Sequence, residues 1–458
     1  MPHWSSLVRA HPQRSSSNSS IMSDRNSSEG GPSVDQVPPE KPKRPSPASS
    51  SDFPDGGRHA WLTVLGAWFC LFSSYGFISS AGVYQDYYET QLLSQYSPST
   101  ISWIPALQLF TLSALSPFVG AFFDSYGPRI PVAVGSFLVI LGLMTQSLST
   151  QYYQLILSQA ICAGLGMGMI FHSSINAVAT WFKRRRGLAM GLASSGSGVG
   201  GVILPIMFDR LVGQIGFPWT VRTIGFVLLP LQLVAIFTVQ SRLEHQPKRF
   251  HIMELLHPFR DLTFDLNAAA CFFGTLGLLL PFNYMKVAAA SAGVSPNLLP
   301  YILPILNSTS IIGRIVPLWA GDHLGVFNMA TIFVFLGAIL VLALWVPGAG
   351  SSGAVIAFTV LYGLPLGYFV ATIAALVAKI SDIREIGVRV GATFFVNAVA
   401  GLVGSPLAGL LIGVGNWSSG PEEFRGLQIF CGLAILVSAL LFGLTRVYTG
   451  GWSVTKRV

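Results

Sequence analysis

A charged side chain stands in the middle of an apolar run, "NSTSIIGRIVPLWAG", and it is Arg314. A guanidinium carries five donors in a planar fork and matches the geometry of a carboxylate. Two readings are open for it: a donor to an organic anion inside a cavity, or a long side chain that snorkels to an interface and braces a turn. A second candidate is His172 in "GMIFHSSINAVATW", with Asn176 four residues on and so on the same helix face. A histidine in such a run can switch charge near neutral pH or simply pack. The amides Asn283, Asn307 and Asn397 and the hydroxyl of Ser310 also interrupt apolar runs. They can meet a polar solute or join neighbouring helices. Tyr75, Phe77, Tyr284, Tyr362 and Tyr368 are flat surfaces on which a conjugated solute can stack, or ordinary packing residues.

These residue types do not assemble into an enzyme. No HExxH, no GxSxG with partners, no phosphate-loop lysine and no carboxylate pair occurs. The four cysteines, Cys70, Cys162, Cys271 and Cys431, are far apart and inside apolar runs, so neither a metal site nor a disulfide framework is expected. Gly196-x-Gly198-x-x-Gly201 has the spacing of a dinucleotide-binding turn. It lacks the strand before it and the acidic residue about twenty positions on, and no cofactor is expected. The adjacent basic run Lys183–Arg186 fits a membrane-surface anchor rather than a nucleic-acid patch.

The elements that position these residues follow from composition. The 458-residue chain is 51% hydrophobic and 10% charged, with a mean hydropathy of +0.59. Soluble domains carry about 25% charged residues, so the bilayer is the expected solvent. Twelve apolar runs of bilayer-crossing length fall near 60–83, 100–122, 131–149, 154–179, 188–212, 219–240, 266–290, 297–320, 327–346, 353–378, 391–412 and 427–447. With both termini inside, the inner segments hold twenty-two Lys and Arg and the outer segments four. That asymmetry places both termini in the cytoplasm. Residues 1–59 are rich in Ser and Pro without apolar periodicity and read as a disordered cytoplasmic tail. Residues 241–265 are the longest connection and divide the chain into six-span halves, 60–240 and 266–447. Residues 448–458 form a short cytoplasmic tail. "FHIMELLHPF" within the connection has the pattern of a short interfacial helix.

The halves carry a repeated signature. Gly120-"AFF"-Asp124-"SY"-Gly127-Pro128-Arg129 lies between spans two and three, and Gly321-Asp322-"HL"-Gly325 between spans eight and nine. An acid near a helix N-terminus can latch neighbouring helices. Gly187, Gly191 and Ser195 recur every four residues, as do Gly196 and Gly200, making flat faces on which another helix slides. Pro205 allows a bend further along the same span.

At these motifs the chain resembles the major facilitator superfamily over about 60–447. Asp55-Gly56-Gly57 with Trp61 at the entry to span one, and "WFKRRRGLAMGLASSGSGVGG" at the start of span five, resemble the signatures of its monocarboxylate-porter family, especially the fungal members. The resemblance implies an all-α membrane protein with twelve transmembrane helices in two six-helix bundles that rock about a central cavity. It also implies a secondary transporter of a small organic solute, a monocarboxylate-like anion or a secondary metabolite. Where that family carries Asp one turn before the span-eight Arg, this chain has Ser310. Ser79 or Ser80 stands where it carries a span-one Lys. Both departures argue for a bulkier or less acidic solute than lactate. The expected substrate and coupling residues are Arg314, His172, Asn176, Tyr75, Asn283, Asn307, Ser310 and Asn397. The expected gating residues are Asp124, Gly127, Arg129, Asp322, Gly191, Gly196 and Gly200. No metal, cofactor or nucleic-acid partner is expected. The solute, coupled protons and the lipid bilayer are the partners, for a monomer in the plasma membrane. A transporter-like solute sensor is the alternative reading.

Overall fold

The computed structural model describes residues 54–243, 245, 256–382, 385–411 and 424–451. The expected disordered tail up to residue 53, residues 244 and 246–255 of the 241–265 connection with the first part of its expected interfacial helix, and residues 383–384, 412–423 and 452–458 lie outside the described residues; the last part of that stretch, His257–Arg260, is one short 3-10 turn leading into α7.

With no water to bond the backbone in a bilayer, apolar runs satisfy their own N–H and C=O groups as helices. The described residues are helical with no strand. The spans are α1 Arg58–Leu92, α2 Ser99–Tyr126, α3 Arg129–Gln146 and α4 Tyr152–Trp181. A helix over Arg186–Thr238 follows, then α7 Leu262–Ser291, α8 Leu299–Leu324, α9 Val326–Trp345, α10 Ser352–Lys379, α11 Ile386–Leu411 and α12 Arg425–Gly450. Among the described residues, eleven such helices are long and apolar enough to cross a membrane. The longest leaves helical geometry at Gly216, with φ 73°, and its arms are α5 (186–215) and α6 (217–238). Dividing it there gives the twelve expected spans. The backbone break is at Gly216 rather than at Pro205, which stays within the helix.

Packing repeats with an offset of six helices. α1 lies against α5 and α6, α2 against α4, and α3 against α4 and α6. Likewise α7 lies against α11 and α12, α8 against α10, and α9 against α10 and α12. Two seams run between the sets, α5 on α8 and α2 on α11.

Three local features shape the interior. α1 is interrupted at Ser74 (φ −101°, ψ −89°), which re-aims the chain at Tyr75. α2 is interrupted at Leu115, immediately before Ser116-Pro117. α2 and α8 both end three residues after an aspartate, at Gly127 (φ 79°) and Gly325 (φ 98°). A residue with a Cβ is strained at such angles, so glycine fixes where each helix stops and turns.

Candidate functional site

The repeated aspartates sit at one end of the two seams. Asp322, at the end of α8, accepts from the backbone N–H of Gly187 at 2.7 Å and Leu188 at 2.9 Å, in the first turn of α5. Asp124, at the end of α2, accepts from Gly387 and Val388, both at 3.1 Å, in the first turn of α11. Each carboxylate meets the positive end of a helix from the other set, an arrangement that stabilises by about 1–2 kcal/mol when partly buried. The correspondence continues along the helices. Arg314, Leu318 and Asp322 recur every four residues on α8, as Ser116, Gly120 and Asp124 do on α2. Gly187 and Gly191 pack on the backbone of Leu318 and Arg314; Gly387 and Gly391 pack on that of Gly120 and Ser116. The Ser116 hydroxyl donates to the Gly391 carbonyl at 2.7 Å.

Arg314 therefore occupies the α5–α8 seam. It lies ten residues before the end of α8, about 15 Å from the latch end at 1.5 Å per residue. Its guanidinium does not snorkel. It is 5% exposed and donates to the Ser194 carbonyl at 2.8 Å and to the Ser197 hydroxyl of α5. Its Nε has no partner. Among the described residues no carboxylate pairs with it; the side chain whose electrostatics it influences is Tyr75 of α1.

From Tyr75 an aromatic belt crosses to the other seam at similar depth. The Tyr75 ring meets Phe171 edge-on at 4.7 Å, and Phe171 meets Phe394 of α11 at 5.3 Å. Phe394 in turn meets the His172 ring at 4.9 Å. His172 is buried, with Nε2 3.3 Å from the Leu112 carbonyl of α2. Asn176 and Asn397 are also buried. The structure thus joins Tyr75 and His172 through Phe171 and Phe394 into one layer, with Arg314 near enough to Tyr75 to act on it electrostatically.

Other expected residues fall elsewhere. Asn307 donates to the Gly201 carbonyl at 3.3 Å, a helix-joining bond in the α5–α8 seam. Ser310 donates to Asn307 O and its backbone is pressed by Gly367 of α10. Asn283 is exposed on α7, with Tyr284 half-buried beside it. Phe77 packs on Tyr84, Tyr362 donates to Leu278 O, and Tyr368 donates to Val326 O, so these three belong to the cores of their sets. The glycine face of α5 is in fact two faces. Gly187, Gly191, Gly198 and Gly201 meet α8, whereas Gly196 and Gly200 meet Trp68, Phe72 and Gly76 of α1. Ser195 sides with α1, accepting from Trp68 Nε1 at 3.1 Å. Gly127 turns beneath His245, whose Nδ1 is 3.1 Å from the Asp124 carbonyl oxygen, and Arg129 is exposed at the start of α3.

Several polar residues were not singled out from sequence. Tyr88, Gln108, Gln146 and Gln159 form a buried network across α1, α2, α3 and α4, with bonds of 2.7–3.0 Å. Gln159 lies in a π-helical stretch, Ile156–Ala163, that rotates it into this network. Their polarity inside apolar runs was the available signal. At the opposite end from the aspartate latches, Lys286 of α7 donates to Asp86 of α1, and Arg210 of α5 donates to the Tyr301 hydroxyl of α8 at 3.2 Å.

A model described as Major Facilitator Superfamily matches residues 63–405. The chain is 43% identical over 412 residues to "MFS-type transporter 1" of Ophiocordyceps sp. (strain BCC 1869), covering 90% of each. It is 38% identical over 398 residues to "Fujikurins efflux protein" of Gibberella fujikuroi, covering 86% of this chain and 84% of that one. Among solved structures it is similar to the transporter FucP in the outward conformation, with a TM-score of 0.66 at 13% identity. The match covers 85% of this chain and 99% of FucP, and it is a likeness of fold.

Proposed function

The chain belongs to the Major Facilitator Superfamily and is a multi-pass membrane transporter, and from that premise we propose that it exports a flat, weakly acidic organic product by alternating access. The observation that carries this reading is Arg314, a buried cation with no carboxylate partner among the described residues and an aromatic belt beside it. Burying an uncompensated charge is costly, so a solute that brings an acidic group offsets that cost while it is bound. The half-buried Tyr75 ring then supplies a stacking face. The efflux relative supports the outward direction.

In this reading the latch end is cytoplasmic, which the Lys and Arg distribution supports, and both termini lie there. Residues 60–240 and 266–447 are the two moving bodies, in a plasma-membrane monomer. Asp124 and Asp322 hold the cytoplasmic ends of both seams, and Gly191 lets α5 and α8 separate and close without interlocking side chains. His172 is the coupling residue for protons, since no carboxylate lies at mid-span. The subfamily is that of the fungal monocarboxylate porters, with Ser310 replacing an acidic residue and leaving Arg314 for the solute. A sensor role finds no support, because the similar proteins are transporters.

Purified protein in proteoliposomes, offered a panel of aromatic and aliphatic organic acids with and without an imposed pH gradient, tests this. Saturable transport of an aromatic acid, lost in Arg314→Ala, is expected. Full transport in Arg314→Ala overturns the assignment of that residue.

A further inference from the structure

The end opposite the aspartate latches is closed by a different kind of bond. Asp86 of α1, Asp209 of α5 and Lys286 of α7 each lie within about two turns of that end of their helices. Lys286 donates to Asp86 across the two sets, and Asp209 is near enough to both for their charges to act on it. Arg210 of α5 donates to the Tyr301 hydroxyl of α8 at 3.2 Å, and a Cβ added at Gly82 of α1 would lie 3.9 Å from Leu303 of α8. At this end, therefore, α1 and α5 of one set meet α7 and α8 of the other. Tyr75 of the aromatic belt stands eleven residues earlier on α1, so the charged triad lies between the belt and the medium on this side.

The two ends differ in what holds them. Asp124 and Asp322 accept from backbone N–H groups at helix starts. The triad consists of side-chain charges alone. The Asp86 side chain is 56% exposed and that of Lys286 37%, and Asp209 is exposed as well. Ion pairs in contact with water are weak and are screened by salt. Within the triad the lysine is the one member of opposite sign. Loss of one acid leaves it the other as a partner, whereas loss of the lysine leaves two like charges on the same set.

We propose that Lys286, Asp86 and Asp209 form an ionic lock on the outer mouth, a salt-sensitive gate that yields before the aspartate latches do. This rests on the alternating-access reading given above and adds the exit to it. A mouth held by exposed charges opens readily, which suits release of a solute rather than its capture.

Spin labels at Thr90 of α1 and Ala290 of α7, both exposed at this end, test it with the full chain in nanodiscs and a cysteine-free background. At low salt the wild type should show mainly one short distance, and salt should add a longer one. Lys286→Met should raise the longer population about threefold at low salt and remove its salt dependence. Asp86→Asn should raise it less, because Asp209 remains. The exchanged pair Asp86→Lys/Lys286→Asp should restore both the short distance and the response to salt, with elution as a single species establishing folding. A wild-type distribution in Lys286→Met overturns the lock, and so does a long distance retained in the exchanged pair. An Asp86→Asn protein as open as Lys286→Met overturns the part given to Asp209. Should these distances behave as expected while a transported solute widens neither this pair nor labels at the latch end, the lock stands and the alternating-access reading falls.

Discussion

Asp322 of α8 accepts from the backbone N–H of Gly187 in α5 at 2.7 Å, joining helices that are far apart in sequence and belong to opposite sets. Asp124 and Gly387 repeat the bond on the other seam at 3.1 Å. Their strength lies in a carboxylate facing a helix N-terminus, which is lost when the charge is removed. Asp322→Asn and Asp124→Asn are each expected to shift the population toward a state open at this end by about tenfold. Thiol accessibility of a cysteine placed at Ala179, buried near this end, measures it. Unchanged accessibility in the double variant contradicts the latch.

Gly191 and Gly200 are expected to fail differently. A side chain at 191 collides with the Arg314 carbonyl across the seam, whereas one at 200 meets the Phe72 carbonyl at 2.7 Å within the same set. Overpacking costs about 1–3 kcal/mol, but only the first cost falls on an interface that moves. Gly191→Leu should slow turnover several-fold with little change in Tm. Gly200→Leu should lower Tm and expression first. Equal effects of both variants on Tm and turnover count against separate faces.

Replacement of Arg314 separates charge from shape. Lysine keeps the charge but not the planar guanidinium, whose Nη1 reaches both Ser194 and Ser197 and whose other nitrogens stay free for a solute's planar acid. Loss of a charge-assisted bond is worth about 1.5–3 kcal/mol, so Arg314→Ala and Arg314→Lys should each lower kcat/KM for an aromatic acid by about tenfold or more. A wild-type value in Arg314→Lys would show that position and charge suffice without the fork.

Gly127 is strained for any other residue. Its φ is 79°, and a Cβ there would sit 3.0 Å from the His245 ring. Gly127→Ala is expected to cost about 1–2 kcal/mol, seen as a lowered Tm. Gly213, with nothing within 4 Å of its added Cβ, is the control: Gly213→Ala should leave Tm unchanged or raise it by the helix propensity gained. A fall in Tm at both positions removes the backbone explanation.

Much of the architecture was legible because the bilayer leaves few options. The apolar runs gave the spans, and the two Asp-x-x-Gly sequences gave the repeat before either carboxylate could be placed on its helix N-terminus. Arg314 was visible as a charge in an apolar run. Its bonds to α5 were not, because they depend on which way α8 is rotated. Phe394 carried no polarity to betray its place in the belt. Tyr75 takes its position from the interruption at Ser74, where no proline stands and where Gly76 two residues on reads equally well as a packing glycine. Ser116 is the counterpart of Arg314 only through the pseudo-symmetry of the seams, since serine and arginine share no chemistry. The division of the α5 glycines between α8 and α1 likewise follows from helix rotation rather than spacing.

The distance between spin labels at Arg129 and Glu385, both exposed on opposite sides of the Asp124 latch, tests alternating access through these seams most directly. In wild-type protein the latched, short distance should dominate, and a transported aromatic acid should add a longer one. Asp124→Asn/Asp322→Asn should populate the longer distance without solute. A single short distance in both proteins, with and without a solute that proteoliposomes show to be transported, would contradict opening at this end.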